Sequence, residues 1–392
     1  MINLVKLTWC LFILSACFGC VPKNASQSVN SADSVSVQQE LDLKVYTLEL
    51  ISAPKTVRFF GEGCTLLAGS PTHVSILDFN QSGSVEFSKD NTSYAFSAKS
   101  NTLALGQSGG LIQIFDTATG KRREVLKGGA TPKKIKISLN GDFLAAANGN
   151  GTSLINLNIG KTEHHFPGGG WQFGQFHFSP DERYFAAGVR KSESSLQHTV
   201  YQYDLSTKTI DREFSIEGTI TQLLFSPNGE KLLVSTTDPG GIAYETRLHL
   251  FDTASGKELF QWESDEGIVD VVFSPNSKVL AIGTAAGALI QNGVVRLLDA
   301  NNGTEKDRFM LDNVVVDLDM SPDGQLVSVV SGTYSMWKKK AVVFIYNMNE
   351  HRIVYNLNSK EFFNMNSFSS DGRFLVVGGR GSSVQLLEFK KN

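Results

Sequence analysis

The sequence predicts an all-β fold assembled from eight similar four-stranded units. Three observations carry that prediction. A five-residue phrase recurs: FSPDE at 178–182, FSPNG at 225–229, FSPNS at 273–277, MSPDG at 320–324 and FSSDG at 368–372. An alternating or apolar run precedes each copy (TQLLF, VDVVF, VDLDM), and another follows it (KLLVST, VLAIGT, FLVVGG). A third run further on closes with an aromatic or aliphatic residue followed by an acid or amide.

The phrase has the chemistry of a tight turn. Proline presets φ at the second position, Asp or Asn follows well, and Gly accepts positive φ at the exit. Between two β-type runs it reads as a hairpin joining strands a and b. Aligned on the serine, the copies are anchored at Ser97, Ser138, Ser179, Ser226, Ser274, Ser321 and Ser369. A degenerate copy with Phe60 at the anchor, VRFFGEGCTLLAG, precedes them. The pairs that close strand c are Leu77–Asp78, Phe115–Asp116, Ile155–Asn156, Tyr203–Asp204, Phe251–Asp252, Leu298–Asp299, Tyr346–Asn347 and Leu387–Glu388. DTATGK at 116–121 and DTASGK at 252–257 are second turns, leading into a weaker strand d such as ELFQWE at 258–263. Apolar residues on both faces of b and c fit sheets stacked between other sheets.

Tandem units of this kind, covering 41–392, resemble WD40 repeats of a β-propeller. The turn phrase and the strand-c pair match. The Gly-His dipeptide is missing and no repeat ends in Trp-Asp, so the family's buried His–Asp–Ser–Trp network is not carried over. Eight copies imply eight blades, or seven if the degenerate copy is not a blade. The chain ends after the eighth strand c, and LKVYTLEL at 43–50 is a spare strand placed to complete that last blade. Such pairing closes the ring and removes two open edges.

The N-terminal residues read differently. One Lys, an apolar run from Leu7 to Ala16 and small residues after it form a secretion signal. LSAC at 14–17 resembles the lipobox of bacterial lipoproteins. That resemblance implies cleavage after residue 16 and acylation of Cys17, each buried CH₂ contributing about 0.8 kcal/mol of membrane affinity. Phe18 in place of Asp favours the outer membrane. Residues 17–40 then form a lipidated, Ser-, Asn- and Gln-rich tether, with a reach of about 25 Å for twenty flexible residues. The expected location is the bacterial cell envelope, with the propeller facing the periplasm.

A formal charge of −3 gives no basic excess for a nucleic acid. Three of the four cysteines lie in the first twenty residues, which is neither a disulfide framework nor a zinc spacing. The seven histidines have no H-E-x-x-H context, and no G-x-S-x-G occurs. No cofactor, metal or catalytic residue is therefore expected.

Anchor-to-strand-c spacing varies in a pattern. Ser97 to Asp116 spans 19 positions and Ser179 to Asp204 spans 25. Repeats four to seven each carry about seven extra residues between b and c: RKSESSLQHT, TDPGGIAYETR, TAAGALIQNG and GTYSMWKKKA. Loops on a rigid scaffold are where binding is usually placed. The candidate partner-binding residues are Tyr334, Met336, Trp337, Lys338, Lys339, Lys340, Trp171, Arg190, Lys191, Tyr244 and Arg247. The expectation is a monomeric, non-catalytic, lipid-anchored scaffold that binds a protein through these loops. The alternative is a propeller hydrolase, lactonase or small-ligand binder at the axial channel, which three convergent Asp, Glu or His side chains would favour.

Overall fold

The computed structural model describes residues 41–389 apart from 42, 50–53, 55, 61–64, 71–72, 79–82, 89–90, 128, 169–174, 191–196, 239–245, 286–291, 333–340, 360–362, 380 and 382. Those residues form eight four-stranded antiparallel sheets. In the first seven, strands a, b, c and d follow one another in sequence and in space. Their a strands are Thr56–Phe60, Asn91–Ser97, Lys134–Ile137, Phe176–Phe178, Thr219–Phe225, Gly267–Phe273 and Val314–Met320. The eighth sheet has Phe363–Phe368, Phe374–Gly379 and Ser383–Phe389 as a, b and c. Its fourth strand comes from the other end of the chain. Leu43–Glu49 pairs antiparallel with Ser383–Phe389, Leu43 opposite Phe389 and Glu49 opposite Ser383. The degenerate copy around Phe60 also builds a full sheet, with Thr65–Gly69, His73–Asp78 and Gly83–Ser88 after its a strand.

The recurring phrase is a hydrogen-bonded module. In the seventh sheet, Ser321 N donates to Leu326 O at 2.9 Å, and Gly324 N donates to Ser321 O at 2.8 Å. The Ser321 hydroxyl accepts from Leu326 N at 2.9 Å and donates to Asp323 Oδ1 at 2.6 Å. The same hydroxyl bridge recurs at Ser179, Ser226, Ser274 and Ser369. The exit residue has positive φ each time. It is Gly229, Gly324 or Gly372 where the phrase ends in Gly, and Glu182 (φ 58°) or Ser277 (φ 59°) where it does not. The anchor serines are buried, Ser138, Ser226 and Ser369 completely. A hydroxyl with both functions used inside a turn is why serine, not alanine, stands there.

The acid closing strand c performs the matching task at the c–d turn. Asp252 Oδ1 accepts from Ser255 N at 2.7 Å and from its hydroxyl at 2.5 Å. Those donors hold the Asp252 carboxyl below its ordinary pKa. The two turns are also joined, because Thr253 N donates to Glu230 O at 2.9 Å and Met348 N to Gln325 O at 2.8 Å.

Burial falls from strand b outward. Strand b is buried almost end to end, as in Tyr184–Arg190 and Lys231–Thr237. Strand d is mostly exposed, as in Thr209–Glu217. The apolar core is divided into eight clusters, each shared by two sheets. Seven lie between sheets consecutive in the chain. The eighth joins the first sheet to the last: Val57, Phe59, Leu66 and Ala68 pack on Met365, Phe374, Val376, Val384 and Leu386. Phe59 and Phe374 stack there with ring centroids 6.4 Å apart.

Ser321→Ala is expected to lower unfolding free energy by about 1–3 kcal/mol, because it leaves the half-buried Leu326 N–H without its side-chain acceptor. Asp323→Ala, which removes only the outer partner of the same hydroxyl, is expected to cost less. Denaturant melts of both variants measure the difference.

Candidate functional site

The a strand lies at one edge of every sheet, so half of its N–H groups have no partner within the sheet. The preceding sheet supplies acceptors. Asp270, four residues before its anchor, accepts from Leu318 N at 3.0 Å. Asp317, at the same offset one repeat later, accepts from Asn366 N at 2.7 Å. Two residues before the anchor, Asp319 accepts from Phe368 N at 2.6 Å. Ser367, at that same offset, accepts from Phe59 N at 3.3 Å. The two offsets thus define two tiers of side chains, which in sheets six to eight reach from one a strand to the next.

These tiers carry charge unevenly. In sheets six and seven they hold Asp270, Asp317 and Asp319. In sheets three and four they hold Lys134, Lys136, Gln175 and His177, and in sheet one Arg58. Lys134 Nζ donates to Gln175 Oε1 at 2.7 Å and lies 5.0 Å from the centre of the Phe176 ring. Gln222 Nε2 donates to Asp270 Oδ1 at 2.6 Å. The strands converge: Arg58 acts electrostatically on Asp270, Asp317, Asp319 and Lys136, which belong to three other sheets.

Burial dominates the ionisation of this group. Desolvation, reinforced by the Asp270 charge, pushes the Asp317 carboxyl up to about 8. Desolvation raises Asp319 to about 6 and lifts Asp270 as well. The lysines move the other way. Desolvation lowers Lys134 to about 8, and desolvation with the Lys134 and Arg58 charges lowers Lys136 to about 7. His177 is driven well below its ordinary value by burial and by Lys136.

The three acids are the kind of convergence that would favour axial chemistry over a bland scaffold. Their lone pairs, however, are largely committed to backbone N–H groups. Among the described residues no group of three or more His, Cys, Asp or Glu is placed to hold a metal ion. Sequence reasoning missed these residues. A signal was present, since KIKI at 134–137 and VDLDM at 316–320 alternate charge with apolar residues at fixed offsets from their anchors.

The expected partner-binding residues lie elsewhere. Trp171, Lys191, Tyr244, Tyr334, Met336, Trp337, Lys338, Lys339 and Lys340, with Cys17 at the chain start, lie outside the described residues. Arg190 ends strand b of the fourth sheet opposite His198, and Arg247 is the second residue of strand c of the fifth, Thr246–Asp252. Strand bounds locate the extra residues between b and c: Arg190 to Gln197, Thr237 to Thr246, Ala285 to Gly293 and Gly332 to Ala341. The corresponding steps in the second and third sheets are Gln107 to Leu111 and Asn148 to Gly151.

Arg247 lines a cleft of about 420 Å³ with Thr246, Trp262, Glu263, Ser264, Asp265, Arg296 and Glu305. Its guanidinium Nε lies 3.3 Å from Glu263. Arg296 spans Glu266 at 3.3 Å and Glu305 at 3.0 Å. Trp262 is half-buried on strand d of the fifth sheet. On the fifth sheet the cleft borders the end where the b–c connection leaves, through Thr246, Ser264 and Asp265, and on the sixth it extends along the sheet through Arg296 to Glu305.

No protein-family model matches the chain. The chain is similar to the probable U3 small nucleolar RNA-associated protein 18 of Schizosaccharomyces pombe, 26% identical over 115 residues. That match covers 29% of this chain and 20% of the yeast protein's length. It corrects the expected location. A relative named for the nucleolus of a eukaryote points away from a bacterial periplasmic lipoprotein, and the outer-membrane placement read from LSAC and Phe18 is set aside with it.

The acid tier predicts a pH dependence of stability. A carboxyl whose folded pKa lies above its unfolded value of 3.8 retains a proton in the fold that the unfolded chain gives up. Its contribution is complete below pH 4 and is lost as pH rises through about 8 for Asp317. Asp317→Asn keeps an acceptor for Asn366 N without the titration. It is expected to melt like the parent at pH 4 and several degrees higher at pH 8, in thermal melts at fixed ionic strength.

Proposed function

We propose that the chain is a non-catalytic protein-interaction scaffold, a WD40-like propeller of eight blades closed into a wheel. Two observations support the closed wheel. An apolar cluster lies between every consecutive pair of sheets and again between the last and the first. The chain's own N-terminal strand completes the final sheet. The stretch shared with the yeast protein is compatible with a repeat fold of this kind.

One observation carries the interaction reading: the four longest b–c connections belong to four successive sheets and leave by the sheet end that the Arg247 cleft borders on the fifth. A half-buried tryptophan beside two arginines and three acids suits a polar, aromatic-anchored protein contact, since Trp and Arg are the residues most often found at binding hot spots. The further contacts proposed for the loops are Tyr334, Met336, Trp337 and the lysines at 338–340 from sheet seven, Tyr244 from sheet five, and Arg190 and Lys191 from sheet four. Trp171, in the connection before the fourth a strand, is proposed to join them.

Quantitative affinity capture from the native source tests the reading, with the parent chain compared against Arg247→Glu and Trp337→Ala. Both variants are expected to lose the same partner by at least tenfold while melting within a few degrees of the parent. A partner list unchanged in both variants would remove this sheet end from the proposal.

A further inference from the structure

The tier that fixes sheets six to eight to one another is inverted in sheets three and four. Where Asp317 and Asp319 present acceptors to the N–H groups of Asn366 and Phe368, the third sheet presents Lys134 and Lys136. By register, the fourth-sheet groups in the same places are the N–H groups of Phe176 and Phe178. A lysine ammonium is a donor with no acceptor function. Along this part of the interior the third sheet thus presents donors where the seventh presents acceptors, and Lys134 turns to Gln175 Oε1.

The cations have no internal anion either. No acid among the described residues lies within ion-pair distance of Lys134, Lys136 or Arg58. Lys134 has Gln175 as a neutral acceptor. Lys136 makes no hydrogen bond to a described residue. The nearby acids are held by backbone N–H groups: Asp319 uses both oxygens, on Met320 N and Phe368 N, and Asp270 uses both, on Val271 N, Gln222 and Leu318 N. Lys136 is half-buried, and an ammonium held there without an acceptor points to an occupant that accepts.

We propose that the space between the inner strands binds a small oxyanion, a carboxylate or a phosphate, held by Lys134, Lys136 and Arg58 and by the edge N–H groups of the fourth sheet. An oxyanion supplies several acceptor lone pairs and a negative charge at one point, which is what this side of the interior lacks. On the acid side Asp270 and Asp319 have both oxygens engaged, and Asp317 accepts from Asn366 N. This site is distinct from the sheet end proposed for a protein partner, and either can fail without the other.

The test is the thermal midpoint of the purified full chain at pH 6, where Lys136 is mainly protonated. Sodium phosphate, sodium succinate, glycine and sodium chloride are titrated separately at matched ionic strength. Phosphate, succinate or both are expected to raise the midpoint saturably at millimolar concentration, by several degrees, while chloride and glycine do not. A response to phosphate alone identifies a phosphoryl ligand, and a response to succinate alone a carboxylate. Lys136→Met is expected to melt at least as high as the parent without ligand, because it removes an unpaired charge, and to lose the response at least tenfold in apparent affinity. Lys136→Arg restores the response, and Lys257→Met, on an exposed turn, leaves it unchanged. No saturable rise with either anion, a full response in Lys136→Met, or stabilisation by glycine equal to that by succinate would overturn the proposal.

Discussion

Strand a has one unpaired edge in every sheet, and in sheets seven, eight and one the side chains of the sheet before it supply the acceptors. Packing alone would let adjacent sheets slide, because apolar contact is non-directional. A carboxylate fixed on a particular N–H does not allow it. Asp270 on Leu318, Asp317 on Asn366 and Asp319 on Phe368 therefore set the register between sheets six, seven and eight. Ser367 on Phe59 N carries the same logic from the eighth sheet to the first. The same requirement explains why charged residues occupy so crowded an interior.

The turns apply that rule locally. Five anchor serines, Ser179, Ser226, Ser274, Ser321 and Ser369, close their hairpins with an accepted and a donated hydrogen bond, and Asp252 closes the c–d turn that follows it. The a–b and c–d turns meet at one sheet end and bond to each other. The opposite end, where b–c connections leave, is free to vary in length without disturbing those bonds. One end of the sheets is thus constrained by hydrogen bonding and the other is left available to function.

Much of this was legible in the sequence because the repeat is written in turn chemistry. Pro, Asp and Gly around Ser226 or Ser321 have few other uses, and the spare strand at 43–50 was evident from a last repeat lacking its fourth strand. Even the degenerate copy around Phe60 was found by its offsets. The interior charges were not read, for a physical reason. Alternating charge in KIKI or VDLDM looks like a strand with one wet face, and only the meeting of several inner strands turns that face inward. The location was read from the apolar run at 7–16, LSAC and Phe18, and the similarity to a nucleolar protein points away from it. Of the residues proposed for binding, Arg247 lies beside a cleft that no sequence pattern announces, since Trp262 and Arg296 come from different sheets.

The pairing of Leu43–Glu49 with Ser383–Phe389 joins strands from opposite ends of the described residues. Contacts of such sequence separation carry the largest loop-closure entropy and are made late. During synthesis the first of these strands must wait until Ser383–Phe389 has been made. Until then it is an exposed apolar segment in search of an edge, so the seam governs the order of assembly and is the place where a finished molecule can begin to open.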